Sequence, residues 1–175
     1  MSVTLQTERL EIRPIREEDW RSVQAIWRDF QKSEYVFFDN EKDTSDDTMK
    51  NRIAKWASAA EEGRDHLFFA VCREGETVGF AAMNRAGDGY ELSYGFRTGA
   101  QGLGFALESL SAILNEMKRR GVKRVFAGTA LRNTPSVRLL QKLHFVQTGT
   151  EERAFFKDRD GKDIRFTGGI FERIL

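Results

Sequence analysis

The run Arg97-Thr98-Gly99-Ala100-Gln101-Gly102-Leu103-Gly104-Phe105-Ala106 has the composition of an anion-binding loop, and it separates a segment of strand character from one of helical spacing. The first N–H groups of a helix have no internal partner and carry partial positive charge, so a diphosphate placed there is held by backbone alone. Gly102, Gly104 and Ala106 remove side-chain bulk at alternating positions, and Gly99 lets the chain turn sharply out of the strand. The alternative is an ordinary flexible connector. A triphosphate loop needs GxxxxGK followed by Ser or Thr, and this loop has no lysine. A dinucleotide fold needs GxGxxG and an acid about 20 residues on, where this chain has Val122-Lys123-Arg124-Val125.

The charge near the loop points the same way. The 175 residues carry a formal charge of only +1, so no global field recruits nucleic acid or a membrane surface. Yet Lys118, Arg119, Arg120, Lys123, Arg124, Arg132 and Arg138 follow one another with no Asp or Glu among them. A ligand with a diphosphate and a further sugar phosphate, such as coenzyme A, is attracted to such a flank. For Lys118 to Arg120 the alternative is a basic helix end that complements the helix dipole. Nucleic acid is disfavoured, because no aromatic residues interleave with the bases. The single cysteine, Cys72, permits neither a disulfide nor a thiolate zinc site, which predicts a reducing cytosol and a small core role for that residue. The longest apolar run, Leu67 to Cys72, is too short to span a membrane, and Met1 to Pro14 lack the apolar stretch of a signal peptide.

The elements around the loop follow from periodicity. Leu10 and Ile12 alternate up to Pro14, as in a short strand near a sheet edge. Trp20, Val23, Ile26, Trp27 and Phe30 then recur at helical spacing behind the acids Glu17 to Asp19. A second helix runs through Met49, Ile53, Trp56 and Ala60, with Thr44 and Asp47 as its capping pair and Gly63 as its stop. His66 to Cys72, Thr77 to Asn84 and Tyr90 to Phe96 read as three strands of an antiparallel meander. Helical spacing returns from Ala106 to a stop at Gly121, then a strand covers Val122 to Thr129. A short helix opens at Pro135 behind Asn133 or Thr134, and two strands flank the turn Asp158 to Gly161. The order βααβββαβαββ predicts an α/β fold, with one mixed, twisted sheet and helices on both faces, and no linker divides residues 1–175.

Gln101-x-x-Gly104-x-Ala106 resembles the Q/R-x-x-G-x-G/A acetyl-CoA signature of the GNAT N-acetyltransferases, and the order of elements resembles theirs across nearly the whole chain. Thr7-Glu8-Arg9-Leu10-Glu11-Ile12-Arg13-Pro14, Asn133-x-x-Ser136 and Lys142-Leu143-His144-Phe145 are similar to the branch of RimJ/RimL N-terminal acetyltransferases. The resemblance implies a cleft where the strands ending near Phe96 and Thr129 splay apart. Acetyl-CoA would lie there, its pantetheine against the backbone of Tyr94, Gly95 and Phe96, and its diphosphate at the amides of Gly102, Leu103, Gly104, Phe105 and Ala106. By the same resemblance Asn133 contacts the pantetheine arm, while its residue type also fits a helix cap.

An amine must lose a proton before it attacks a thioester, since an α-amine titrates near pH 8 and a lysine amine near 10.4. By alignment with the branch, Glu91 is the base, acting through water. An exposed strand carboxylate is its plain alternative. The oxyanion would be met by strand N–H groups near Tyr94 to Phe96. Ser136 matches the position of the proton donor to the departing thiolate, against the alternative of a helix-start residue satisfying backbone. The family's other solution, a tyrosine four residues along that helix, is replaced by Leu140, which leaves Tyr94 as a substitute. Gly95 stands where the branch usually has a bulky aromatic, a change expected to widen the cleft or loosen the strand. His144 replaces a glycine and is expected to be structural at the helix exit, since one other histidine, His66, makes no metal site with it.

The resemblance implies that the acceptor is an amine. In that family the segment between the first two helices borders the acceptor entrance, so Phe37 or Phe38 would wall it, and Asp39, Glu41, Asp43, Asp46 and Asp47, against the single base Lys42, would attract a cationic amine. Such acids are also ordinary dipole partners of a helix start. The expected activity is acetyl transfer to a protein or peptide α-amine, with a small-molecule amine or a non-catalytic acyl-CoA sensor as alternatives. Both a monomer and a homodimer are compatible with the resemblance, and the abundant Phe suits the homodimer.

Overall fold

The computed structural model describes residues 3–62 and 65–175. Eight strands form one sheet: β1 (Leu5–Gln6), β2 (Glu11–Pro14), β3 (His66–Arg73), β4 (Glu76–Ala86), β5 (Gly89–Phe96), β6 (Arg124–Ala130), β7 (Val146–Lys157) and β8 (Asp163–Ile174). Their spatial order is β1-β2-β3-β4-β5-β6-β8-β7, and every pairing is antiparallel except β5 with β6. The helices are α1 (Trp20–Gln31), α2 (Asp46–Glu62), α3 (Phe105–Arg119) and α4 (Thr134–Lys142). The expected order of elements holds, with the two-residue β1 added in front. A strand of two residues has no alternation to read, and it exists because it pairs with Ile12 and Glu11 of β2.

Strand alternation sorts the core into two layers. Leu92 of β5, Val125 and Ala127 of β6 and Phe171 of β8 pack with Leu110, Ile113 and Leu114 of α3 and Leu140 of α4. On the other face Phe68 and Cys72 of β3 and Phe80 of β4 pack with Val23, Ile26 and Trp27 of α1 and Met49 and Ile53 of α2. Cys72 is thus a core residue, 3% exposed.

The helix ends show which local signals held. Gly121 adopts φ +82°, and the amides of Gly121 and Val122 return to the carbonyls of Lys118 and Met117, which closes α3 as expected. At the end of α4 the same left-handed position falls to His144, at φ +61°, with Phe145 N–H on the Leu140 carbonyl, so its role is the helix exit. The capping pair expected for α2 is corrected. The carboxylate of Asp43 accepts from the Ser45 amide at 2.8 Å and the Thr48 hydroxyl at 2.6 Å, while the Thr44 carbonyl is taken by Gln24 and Arg28 of α1. Gly63, the expected stop, lies outside the described residues.

One buried ion pair pins the start of α1 to the sheet. Arg13 grips Asp19 with two parallel bonds of 2.7 and 2.8 Å, and the same carboxylate accepts from the Arg16 amide and the Thr77 hydroxyl of β4. Burial opposes the charged carboxylate, but Arg13, the Arg16 amide and Thr77 outweigh it and hold the Asp19 carboxyl below its ordinary range. Its contribution to stability is therefore complete above the unfolded value near 3.9 and is lost as pH falls through the lower folded value. Asp19→Asn is expected to cost about 3 kcal/mol at pH 7, because it strands a buried guanidinium. In urea melts the gap between variant and wild type should narrow as pH drops below about 4, the unfolded carboxyl value.

Candidate active site

Parallel pairing between β5 and β6 consists of Tyr90 with Val125 and Glu91 with Phe126, and stops there. On its other edge β5 stays paired with β4 up to Phe96, and β6 stays paired with β8 up to Ala130. Two well-held strands therefore diverge from Glu91 onward, with one edge of Leu92–Phe96 facing one edge of Ala127–Ala130 across a cleft. Backbone donors and acceptors along such edges require a partner, and an extended arm with amides of its own has the chemistry to supply one.

The loop leaving β5 opens into α3. Gly102 and Gly104 both take positive φ, +73° and +82°, a conformation that side chains disfavour. Gly104 is the N-cap of α3 and has no side chain to cap it. Among the described residues, no protein acceptor is hydrogen-bonded to the amides of Gly102, Leu103, Gly104, Phe105, Ala106 or Leu107. This is the open amide cluster expected for a diphosphate. Leu103 is half exposed and Phe105 is buried, so backbone and not side chains is offered here. Gln101 donates to the Phe96 carbonyl at 3.2 Å and braces the loop against the strand it leaves.

At the cleft two hydroxyls meet: Tyr94 Oη and Ser136 Oγ are 2.8 Å apart. Sequence reasoning held them as alternative donors, and the fold makes them one pair, joining β5 to the first turn of α4. Burial lifts the Tyr94 phenol above its ordinary range, against a smaller opposing pull from the Ser136 hydrogen bond, so it stays protonated. Asn133 caps α4, its Oδ1 accepting from the Ser136 amide at 3.3 Å. That leaves its side-chain NH2 without a partner among the described residues, so capping and ligand contact are compatible.

Glu91 is three residues from Tyr94, which puts the two on opposite faces of β5. Tyr90, Leu92, Tyr94 and Phe96 join the α3/α4 layer, whereas Glu91 and Ser93 are exposed on the face toward α1 and α2. Ser93 shares this face with Glu91 at the opening of the cleft, and the alternation that reveals it was readable in the sequence. At Gly95 a Cβ would come within 2.8 Å of Phe80 and 2.9 Å of Ile26, so the space beside the glycine is filled by α1 and β4.

Phe37 and Phe38 form part of a 3-10 turn, Val36–Phe38, on this same side. Phe37 meets Phe156 edge-on at 5.5 Å and Phe38 meets Phe166 at 5.2 Å, which ties the turn between α1 and α2 to the β7–β8 hairpin. The nearby acids are less available than their number implied. Asp39 pairs with Lys42, Asp43 serves the α2 turn, and Asp46 accepts from Gln24. The basic flank is also partly satisfied: Glu116, one helical turn earlier, binds Arg119 and Arg120, and Asp88 and Glu172, distant in sequence, bind Arg124.

Two clamps on the loop had no readable signal. Asp29 of α1 accepts from the Arg97 guanidinium and the Thr98 amide, both at 3.0 Å, and Arg9 reaches the Leu103 carbonyl at 2.9 Å. Each joins residues far apart in the chain. Within the described residues no cluster of His, Cys, Asp and Glu could hold a metal ion, and no helix is long and apolar enough to cross a membrane.

Comparison with known proteins agrees with this geometry. The family model described as an acetyltransferase (GNAT) domain matches residues 9–146. A protein of Bacillus licheniformis named uncharacterized N-acetyltransferase p20 is 26% identical over 151 residues, covering 83% of this chain and 84% of that protein. The fold is shared with RimL, a ribosomal L7/L12 alpha-N-protein acetyltransferase solved in complex with coenzyme A, at a TM-score of 0.82 and 16% identity over 99% of this chain and 98% of that one. The ribosomal-protein-S5-alanine acetyltransferase of Vibrio fischeri superposes with a TM-score of 0.78 at 16% identity, over 98% of this chain and 96% of that one.

Gly104→Ala tests the loop. It forces a side chain into a left-handed position and sets a Cβ 3.2 Å from the Arg9 guanidinium. Calorimetric titration is expected to show about tenfold weaker coenzyme A binding, the equivalent of the 1–2 kcal/mol that a left-handed residue costs.

Proposed function

This chain belongs to the GNAT acetyltransferase family, and from that premise we propose that residues 1–175 act as one domain that moves an acetyl group from acetyl-CoA to the α-amine of a protein or peptide. The observation that carries the reading is the division of labour across β5: a carboxylate, Glu91, on one face of the splayed strand and a hydroxyl pair, Tyr94 with Ser136, on the other. A direct transfer needs a proton removed from the amine on one side and a charge stabilised at sulfur on the other.

Acetyl-CoA supplies an activated thioester carbonyl and a thiolate leaving group. The open amides of Gly102 to Leu107 hold its diphosphate, and the unpaired edge of β5 aligns its arm. Glu91, at the apex of the cleft, takes the amine's proton through water, a feasible demand for an α-amine that titrates near pH 8. N–H groups of the same strand edge, shielded by the two core layers, stabilise the oxyanion. Tyr94, kept protonated by burial, donates to Ser136 Oγ and leaves the serine proton to meet the thiolate. A free thiol titrates near 8.5, so this donor is needed only modestly.

An α-amine acceptor is supported by the likeness to ribosomal-protein N-terminal acetyltransferases. A small-molecule amine is the second reading, for which Phe37 and Phe38, in contact with the β7–β8 hairpin, would wall the acceptor entrance. The buried, solitary thiol of Cys72 suits a reducing cytosol.

Thiol release from acetyl-CoA, measured against peptides, amino acids and polyamines, separates these readings. Peptides with free α-amines are expected to be the best acceptors, and release with none of the three would leave only a sensor. Glu91→Gln should lower kcat by about 100-fold or more at unchanged coenzyme A affinity. An unaltered pH–rate profile in that variant would remove the role of Glu91. Ser136→Ala and Tyr94→Phe should each reduce kcat by roughly tenfold or less, and the double variant little further, because the two hydroxyls act as a unit.

A further inference from the structure

The first turn of α3 holds a conflict of charge. Glu108 suits the positive end of the helix dipole, but a carboxylate there repels the diphosphate that the neighbouring amides are open to receive. Burial opposes its charged form, yet hydrogen bonds from Thr7 and Arg9 hold its carboxyl below the ordinary range, so it is ionised at neutral pH. The charge is met from the other end of the chain. The turn of the β1–β2 hairpin docks on α3, with the Thr7 hydroxyl donating to Glu108 Oε1 at 2.6 Å and the Arg9 amide to the same oxygen at 3.0 Å. Arg9 Nε donates to Oε2 at 2.7 Å, and Nη2 lies 2.6 Å from that oxygen, a two-pronged pairing.

The same guanidinium also touches the loop itself. Its Nη1 donates to the Leu103 carbonyl at 2.9 Å, and its plane covers the Phe105 ring at 4.8 Å. A Cβ on Gly104 would sit 3.2 Å from Nη2. One side chain thus contacts the carboxylate, a loop carbonyl and the first aromatic ring of the helix, and its 43% exposure leaves it in reach of solvent. An ordinary surface ion pair makes only the first of these contacts.

We propose that Arg9 is a positioning residue for the acyl donor: it cancels the Glu108 charge and anchors Leu103, so that the amides of Gly102 to Leu107 meet a diphosphate without a competing carboxylate. This rests on the reading of the loop as the diphosphate site. The β1–β2 hairpin, two residues of strand and a turn, then has a functional reason to exist, since it delivers Arg9 to a loop more than ninety residues away.

Arg9→Ala is expected to raise the Kd for coenzyme A and the KM for acetyl-CoA about tenfold in parallel, with kcat within about twofold. Adding Glu108→Gln to that variant removes the freed charge and should restore most of the lost affinity. S-acetylpantetheine, which keeps the thioester arm and lacks the diphosphate, should be used with the same kcat/KM by wild type and Arg9→Ala. An unchanged Kd in Arg9→Ala, equal losses on both donors, or no rescue in the double variant would overturn the proposal. Should Arg9→Ala not fold, Glu108→Gln alone decides: coenzyme A binding at least as tight as wild type supports it, and weaker binding sinks it. A wild-type protein that uses S-acetylpantetheine as efficiently as acetyl-CoA would instead remove the loop assignment, a separate failure.

Discussion

The architecture depends on one interrupted ladder. Parallel pairing between β5 and β6 ends at Glu91 and Phe126, and beyond that point each strand carries a row of backbone groups with no strand opposite. Leaving such groups dry and unpaired costs about 1–3 kcal/mol apiece, so the cleft is stable only if water or a ligand completes it. A substrate with amides along its length converts that deficit into recognition, because backbone supplies the contacts.

An interrupted sheet would ordinarily close or fray, and the surrounding structure prevents both. Each arm is secured on its outer edge, β5 by eight residues of register with β4, and β6 by seven with β8. The α3/α4 layer fills the space on one face, so the arms cannot collapse together without displacing Leu92, Ala127 and Leu140 from the core. On the opposite face α1 approaches β5 so closely at Gly95 that Ile26 and Phe80 occupy the volume of its absent side chain.

Electrostatics at the site is settled by cancellation. The basic run after α3 looks like a strong field in one dimension, yet Glu116, Asp88 and Glu172 neutralise Arg119, Arg120 and Arg124 in three. Of the five acids before and at the start of α2, Asp39, Asp43 and Asp46 are likewise engaged, by Lys42, by the α2 turn and by Gln24. At the loop itself the offer to an anion is backbone: six amides with no protein acceptor among the described residues, beside the Arg9 guanidinium that pairs with the Glu108 carboxylate. Backbone dipoles fixed in place lose nothing to reorganisation when a charge arrives, which makes them better suited to the task than mobile lysines.

The helices and strands of this protein were legible in its sequence because their signals are local: spacing of apolar residues, glycine after α3, proline at the start of α4. The glycine loop was legible for the same reason, since Gly102 and Gly104 stand where the backbone is left-handed. Side-chain partnerships were not. Tyr94 and Ser136 are 42 residues apart, and Arg9 and Glu108 are 99 apart. The residue types were visible, but a hydrogen bond is decided by a distance of about 3 Å, which only the packed chain sets. Sequence alone determined that a glycine-rich turn would stand at the mouth of α3. Tertiary structure decided which hydroxyls lie within hydrogen-bonding reach, which acids are already paired, and that an arginine from the opening hairpin contacts the loop, because partners far apart in the chain meet only in the packed fold.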